Sequence, residues 1–148
     1  MTEAIRQGDI PGVQLRCRGS LEVPVDQAWD LLAERPGLES WLCRSAAIDP
    51  VEQGAFEWRG DLELGADSTE TGVILTAVAP RLLVATLTQP DWPAATRVEF
   101  ELLPAGDGTS ISVLQKGFEH LPLSISLTVW EAYRRRWRGA LERLANLG

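Results

Sequence analysis

Histidine and cysteine are almost missing from this sequence: His120 is the single histidine, and Cys17 and Cys43 are the two cysteines, in 148 residues. A structural zinc site needs about four soft ligands at close spacing. The chain offers no such set, so no metal and no cofactor are expected, and the two thiols read as reduced and structural. No apolar run approaches the roughly 20 residues of a membrane-spanning helix, and Met1–Arg6 lacks the apolar core of a signal peptide. The expectation is a cytoplasmic chain without stable membrane insertion. Basic residues are also in deficit, 14 against 21 acidic ones, for a net charge of −7. Such a surface repels phosphate backbones, which excludes nucleic acid as a partner. Phosphate-binding glycine loops, dinucleotide fingerprints, HExxH helices and serine nucleophile elbows are missing as well. No catalytic residue is therefore assigned, and a binding role is favoured over an enzymatic one. Linkers, repeats and low-complexity tracts are lacking, so residues 1–148 read as a single domain. A chain of this length buries roughly 68–70% of its unfolded surface without disulfide or metal.

What is present is alternation. Val13, Leu15, Cys17, Gly19, Leu21 and Val23 interleave with polar residues, which predicts a strand with one apolar face. Pro24 ends its ladder. Val25, Ala28, Trp29 and Leu32 then fall at helical spacing, with Asp26 near the positive end of the helix dipole, and Pro36-Gly37 is expected to stop that helix. Leu38–Leu42 reads as a second short helix or a turn, and Arg44–Ile48 as a brief strand. In the next strand Phe56, Trp58, Leu62 and Leu64 point one way and Glu57, Arg59, Asp61 and Glu63 the other, with Gly60 a candidate bend or bulge. Gly65–Glu70 reads as a polar turn. Further strands are expected over Val73–Ala79, Leu82–Thr88, Thr96–Leu103 and Thr109–Phe118, and a long helix from about Ser124 to Leu147. Ala105-Gly106-Asp107-Gly108 supplies a hairpin turn. This order makes an α+β domain: a curved antiparallel sheet of six or seven strands wrapped around a long C-terminal helix, with two short helices after the first strand.

Several of these segments, in order, resemble the SRPBCC or START-like superfamily, the helix-grip proteins of the birch-pollen-allergen type, and within it the heat-shock-protein-ATPase-activator-like family. The likeness is carried by Val23-Pro24-Val25-Asp26-Gln27-Ala28-Trp29, Trp41, Gly54-Ala55-Phe56, Gly72-Val73-Ile74, Val78–Leu83, Gly108-Thr109, Gly117-Phe118, and Trp137 with Leu141 and Leu144. It spans nearly the whole chain. Two positions depart from it: Arg136 stands where the family often has Gly, and Gln115 where it often has His. Chaperone activity is not carried over. The resemblance implies a cavity between the sheet and the long helix.

Six tryptophans point the same way, since rigid rings either fill a core or wall a cavity. The candidate ligand-binding residues are Trp58, Phe100, Gln115, Tyr133 and Trp137. Gln115 shares the inward parity of Ile111 and Val113, and its amide is expected to meet either a ligand or the backbone. Trp92, in a Pro-bounded loop, and His120, in the loop before the last helix, are candidate rim residues. Glu57, Asp61, Glu63, Glu99 and Glu101 read as solvated. Val129, Tyr133, Trp137, Leu141 and Leu144 form one helix stripe, which puts the arginines of Arg134–Arg138 largely on the outer faces. The expected function is binding of a hydrophobic, lipid-like or aromatic small molecule, by sequestration or carriage. A polyketide cyclase or aromatase activity, and a co-chaperone-like interaction module using the basic helix face, are the alternatives. A homodimer is left open.

Overall fold

The computed structural model describes residues 8–147, so the Met1–Arg6 reading lies outside the described residues. Strand β1, Gln14–Leu21, pairs antiparallel with the last strand over eight residue pairs, from Gln14 with Lys116 to Leu21 with Thr109. Its predicted apolar parity is the buried one: Leu15 and Leu21 are in the core. Gly19 lies under the C-terminal helix, where an added Cβ would come within 3.3 Å of Leu141, so a larger residue there would push the helix away.

Helices α1 (Val25–Ala33) and α2 (Arg35–Trp41) follow. The break between them is Glu34, which is extended. Pro36 does not stop the first helix as expected. It sits in the first turn of the second, where its missing N–H leaves no helical bond unmade. Strands β2 (Cys43–Ile48), β3 (Ala55–Asp61), β4 (Gly65–Val78), β5 (Leu82–Leu87), β6 (Thr96–Ala105) and β7 (Gly108–Lys116) complete the sheet. Its order is β1-β7-β6-β5-β4-β3-β2, every pair antiparallel. A 3-10 turn at Phe118–His120 leads into α3, Leu123–Ala145.

The largest departure from the sequence reading lies between β3 and β4. Phe56 and Trp58 face inward as expected. Gly60 then adopts φ +68° and the register slips between Arg59 and Asp61. One extra residue in a period-two strand reverses the faces beyond it. Asp61 is therefore only 3% exposed, and Leu62, expected inward, is 43% exposed. Asp61 Oδ1 accepts the backbone N–H groups of Glu63 and Leu64, each at 2.8 Å, and this side-chain turn closes the hairpin. The turn thus falls before Gly65, and the segment expected as a polar turn, Gly65–Glu70, opens the 14-residue β4. Glu70 shares the inward parity of Ile74 and is fully buried.

Indole N–H groups tie the layers together. Trp41 Nε1 donates to the Leu31 carbonyl (2.8 Å), joining α2 to α1. Trp130 Nε1 donates to the Gln14 carbonyl (2.8 Å) and Trp137 Nε1 to Gln115 Oε1 (2.7 Å), holding α3 against β1 and β7. Each ring gives the core its area while its single donor stays satisfied. Trp137→Ala should cost about 3–5 kcal/mol by denaturant unfolding, the range for a buried large aromatic. Arg135→Ala, on the exposed face of α3, should cost less than about 0.5 kcal/mol. Equal losses would contradict this facing of the helix.

Candidate functional site

One residue of the basic run does not lie on the outer face. Arg136 follows Tyr133 by one helical turn and precedes Trp137, so its side chain joins the inward stripe of α3. It is 0% exposed. Its Nη1 donates to Glu70 Oε2 at 2.9 Å and its Nη2 to Glu70 Oε1 at 2.5 Å, a two-pronged pairing across to β4. The same Nη2 lies 2.9 Å from Asp61 Oδ2, the carboxylate turned inward by the bulge. Around the guanidinium stand three rings: Trp137 at 4.1 Å from the ring centroid, Tyr133 at 5.4 Å and Trp58 at 5.6 Å. Three of the five proposed ligand-binding residues therefore surround a cation that belongs to the protein.

The electrostatics follow from burial. Dry surroundings push the Glu70 carboxyl above its ordinary range, while Arg136 pulls the other way. Burial opposes the charge of Arg136, yet Glu70 and then Asp61 hold its pKa above the ordinary value. Tyr133 Oη donates to Glu70 Oε2 at 2.7 Å and accepts from Gln89 Nε2 at 2.7 Å. Burial and then the Glu70 charge raise the Tyr133 pKa well above that of a free phenol, so it stays a neutral donor. Trp58 Nε1 and Arg136 Nε are buried without a protein partner.

Gln115 belongs to a second internal chain. Beyond the bond from Trp137, its Nε2 donates to Thr96 Oγ1 at 2.9 Å, and Thr96 donates to the Leu87 carbonyl at 2.9 Å. The Gln115 amide thus meets two side chains, Trp137 and Thr96, where the backbone or a ligand was expected. Phe100 meets Trp137 edge-on at 5.5 Å.

Above the Tyr133 end of the cluster lies a groove of about 470 Å³. Leu64 of the β3–β4 turn with Gly65, Asp67 and Ser68 at the start of β4 form one side, Gln89 and Trp92 of the β5–β6 loop another, and Thr128, Val129, Ala132 and Tyr133 of α3 the third. The Trp92 and Tyr133 rings stand 5.6 Å apart at 57°. Of the proposed site residues, Tyr133 and Trp92 thus line one groove. Trp58, Phe100, Gln115 and Trp137 lie in the packed core beneath it. His120 lines a separate surface depression with Arg97 and Lys116, 3.9 Å from Glu119.

Glu70, Asp61, Arg136 and Gln89 were missed from the sequence as site residues. Arg136 carried a signal, since positions 133, 136, 137, 140 and 144 all fall on one broad helical face. Asp61 could be placed only by knowing that Gly60 inserts a residue.

An open antiparallel sheet wrapped around a long C-terminal helix defines the helix-grip class. The chain belongs to the family of activator of Hsp90 ATPase homolog 1-like proteins, whose model matches residues 22–147. The fold is shared with protein CV1439 from Chromobacterium violaceum, with TM-score 0.74 and 21% identity over 90% of this chain and 95% of that one. CalU16 from Micromonospora echinospora is also similar, with TM-score 0.66 and 20% identity over 89% and 76% of the two chains. So is DynU16, a protein in the dynemicin biosynthetic locus, with TM-score 0.74 and 14% identity over 90% of this chain and 46% of that one. No curated protein matches the chain. No helix among the described residues is long and apolar enough to cross a membrane.

Two outcomes are expected of this cluster. Arg136→Met leaves two carboxylates in the core without their cation and should cost about 3–5 kcal/mol, as should Glu70→Leu. The double variant should cost less than the sum by about 0.5–3 kcal/mol in denaturant unfolding, and strict additivity would show that the pair is not coupled. The cysteines supply the other test. Burial first, and Asp9 second, push the Cys17 thiol up to about 11, and burial pushes Cys43 up to about 12. Both thiols stay protonated at neutral pH, so native protein should alkylate far more slowly than unfolded protein. Because these values lie above the ordinary 9.0, their contribution to stability is complete below about pH 9 and is lost as pH rises through 11 to 12.

Proposed function

We propose that this protein is a cytoplasmic binder that sequesters or carries a hydrophobic or aromatic small molecule at the groove between α3 and the sheet. The observation that carries the reading is the pair of rings, Trp92 and Tyr133, standing 5.6 Å apart over a groove large enough for a ligand of drug-like size. Apolar walls with a few fixed polar groups are the usual make-up of small-molecule sites, and Gln89, Ser68 and the Tyr133 hydroxyl supply the polar ones here. Trp58, Phe100, Gln115 and Trp137 form the rigid bed under the floor, which keeps Tyr133 in place without reorganisation on binding.

A ligand that binds only the folded state raises the melting temperature by mass action, and occupancy beside Trp92 shifts its fluorescence. Thermal shift and emission should therefore respond together to some members of a panel of aromatic, polyketide-like and lipid compounds. Trp92→Ala should weaken those ligands about tenfold, near 1.4 kcal/mol, the scale of one lost aromatic contact and its buried area. No saturable response across the panel would contradict the reading.

A cyclase- or aromatase-type activity is the second reading. It is favoured by one observation: a buried carboxylate, Glu70, is hydrogen-bonded to the tyrosine that lines the groove. Turnover of a linear poly-ketone thioester that is lost in Tyr133→Phe while binding is kept would establish it.

A further inference from the structure

We infer that the cleft on the other flank of α3, between that helix and strand β1, is a second binding site. Its ligand is an amphipathic organic anion: a carboxylate or phosphate head on a compact apolar body. The cleft has a volume of about 420 Å³ and shares no lining residue with the groove over Tyr133. It exists because β1 is an edge strand. The sheet ends there, so α3 and the edge of β1 meet with no strand beyond them.

Arg16, Arg18, Arg134 and Arg138 line the cleft against two carboxylates, Asp9 and Glu142, in a chain whose net charge is −7. Two of the arginines serve elsewhere. Arg16 donates to Ser112 Oγ at 2.9 Å, and Arg18 has interactions of its own. Asp9 is also spent: its Oδ1 accepts the Arg16 backbone N–H at 2.8 Å, and its Oδ2 lies 3.6 Å from Arg134 Nε. That contact, with the Trp130 ring centroid 5.8 Å away, holds Arg134 in place. The Nη groups of Arg134 hydrogen-bond to none of the described residues. Arg138 follows by one helical turn, is exposed, and makes no hydrogen bond or ion pair with the described residues. Two guanidiniums one turn apart repel each other. An anion between them removes that repulsion and takes N–H donors from both. Glu142 stands a further turn along and repels an anion from that end, which leaves the head at the arginines. The apolar body lies on Cys17, Gly19, Leu141 and Ala145. Burial holds the Cys17 thiol up at about 11, so it is neutral, and Gly19 has no side chain. The negative charge of the whole chain repels an extended polyanion, so a small anion fits where a nucleic acid does not.

The test titrates 2-naphthyl phosphate, 2-naphthoate, naphthalene and inorganic phosphate into the full chain by calorimetry. It also follows alkylation of Cys17, which lines the cleft, by mass spectrometry, with buried Cys43 as the internal reference. At least one naphthyl anion should bind about tenfold more tightly than both naphthalene and inorganic phosphate, the scale of one charge-assisted hydrogen bond. Whichever of the two anions binds better supports the site and names its head group. That probe should slow alkylation of Cys17 severalfold more than that of Cys43. Arg138→Gln, an exposed position that folding does not need, should weaken it about tenfold. Arg135→Gln, outside the cleft on the same helix, should change it by less than about twofold, and Trp92→Ala likewise. Equal affinity for charged and neutral probes, equal losses in Arg138→Gln and Arg135→Gln, or equal slowing of both cysteines would overturn the second site and leave the Tyr133 groove untouched. Inorganic phosphate binding as tightly as its naphthyl ester would overturn the amphipathic ligand.

Discussion

The guanidinium of Arg136 is the constraint on which the rest of the site depends. A cation fully out of water costs several kcal/mol in lost hydration, and it persists only where charge and hydrogen bonds replace that hydration. Glu70 and Asp61 supply the charge, from β4 and from the end of β3, which must both reach the helix at the same height. The three surrounding rings supply polarisable faces. Because Glu70 stands on β4 and Asp61 and Trp58 on β3, the cluster fixes the helix against the β3–β4 side of the sheet. On the other side, Trp130 and Trp137 reach Gln14 and Gln115 by single hydrogen bonds. The helix is therefore held by directional contacts along both flanks, in addition to apolar packing.

That arrangement also fills the interior. The space between sheet and helix, which the family resemblance assigns to a cavity, holds Arg136, its two carboxylates and their rings. The groove begins where the cluster ends, at Tyr133. Ion pair and groove floor are thus one structure: Glu70, held by Arg136, takes the Tyr133 proton, and Gln89 of the groove wall donates to the same hydroxyl.

Much of the architecture was legible in the sequence. Period-two runs in β1, β3 and β6, Pro24 at the strand end and the apolar stripe of α3 are each local signals, and each predicted element is present. The errors share a cause. Gly60 looks like any glycine in a strand, and nothing local says that it inserts a residue, yet that slip moves Asp61 inward, Leu62 outward and the turn ahead of Gly65. Glu70 then enters the core on a strand read as a turn. Arg136 was assigned to solvent because an isolated arginine belongs there. Its burial depends on partners 66 and 75 positions away in sequence, Glu70 and Asp61, that were themselves misplaced. Gln115, Trp58, Phe100 and Trp137 were correctly read as facing inward, but which inward side chains border open space is a matter of packing that no periodicity records.

The most direct measurement is a crystal structure of the protein with a bound aromatic alcohol. The account predicts the ring against Trp92 and Tyr133, with the Arg136–Glu70 pair intact beneath it. A ligand seated instead in the arginine-lined groove between β1 and α3, or one lodged between Arg136 and Trp137 with the ion pair broken, would contradict it.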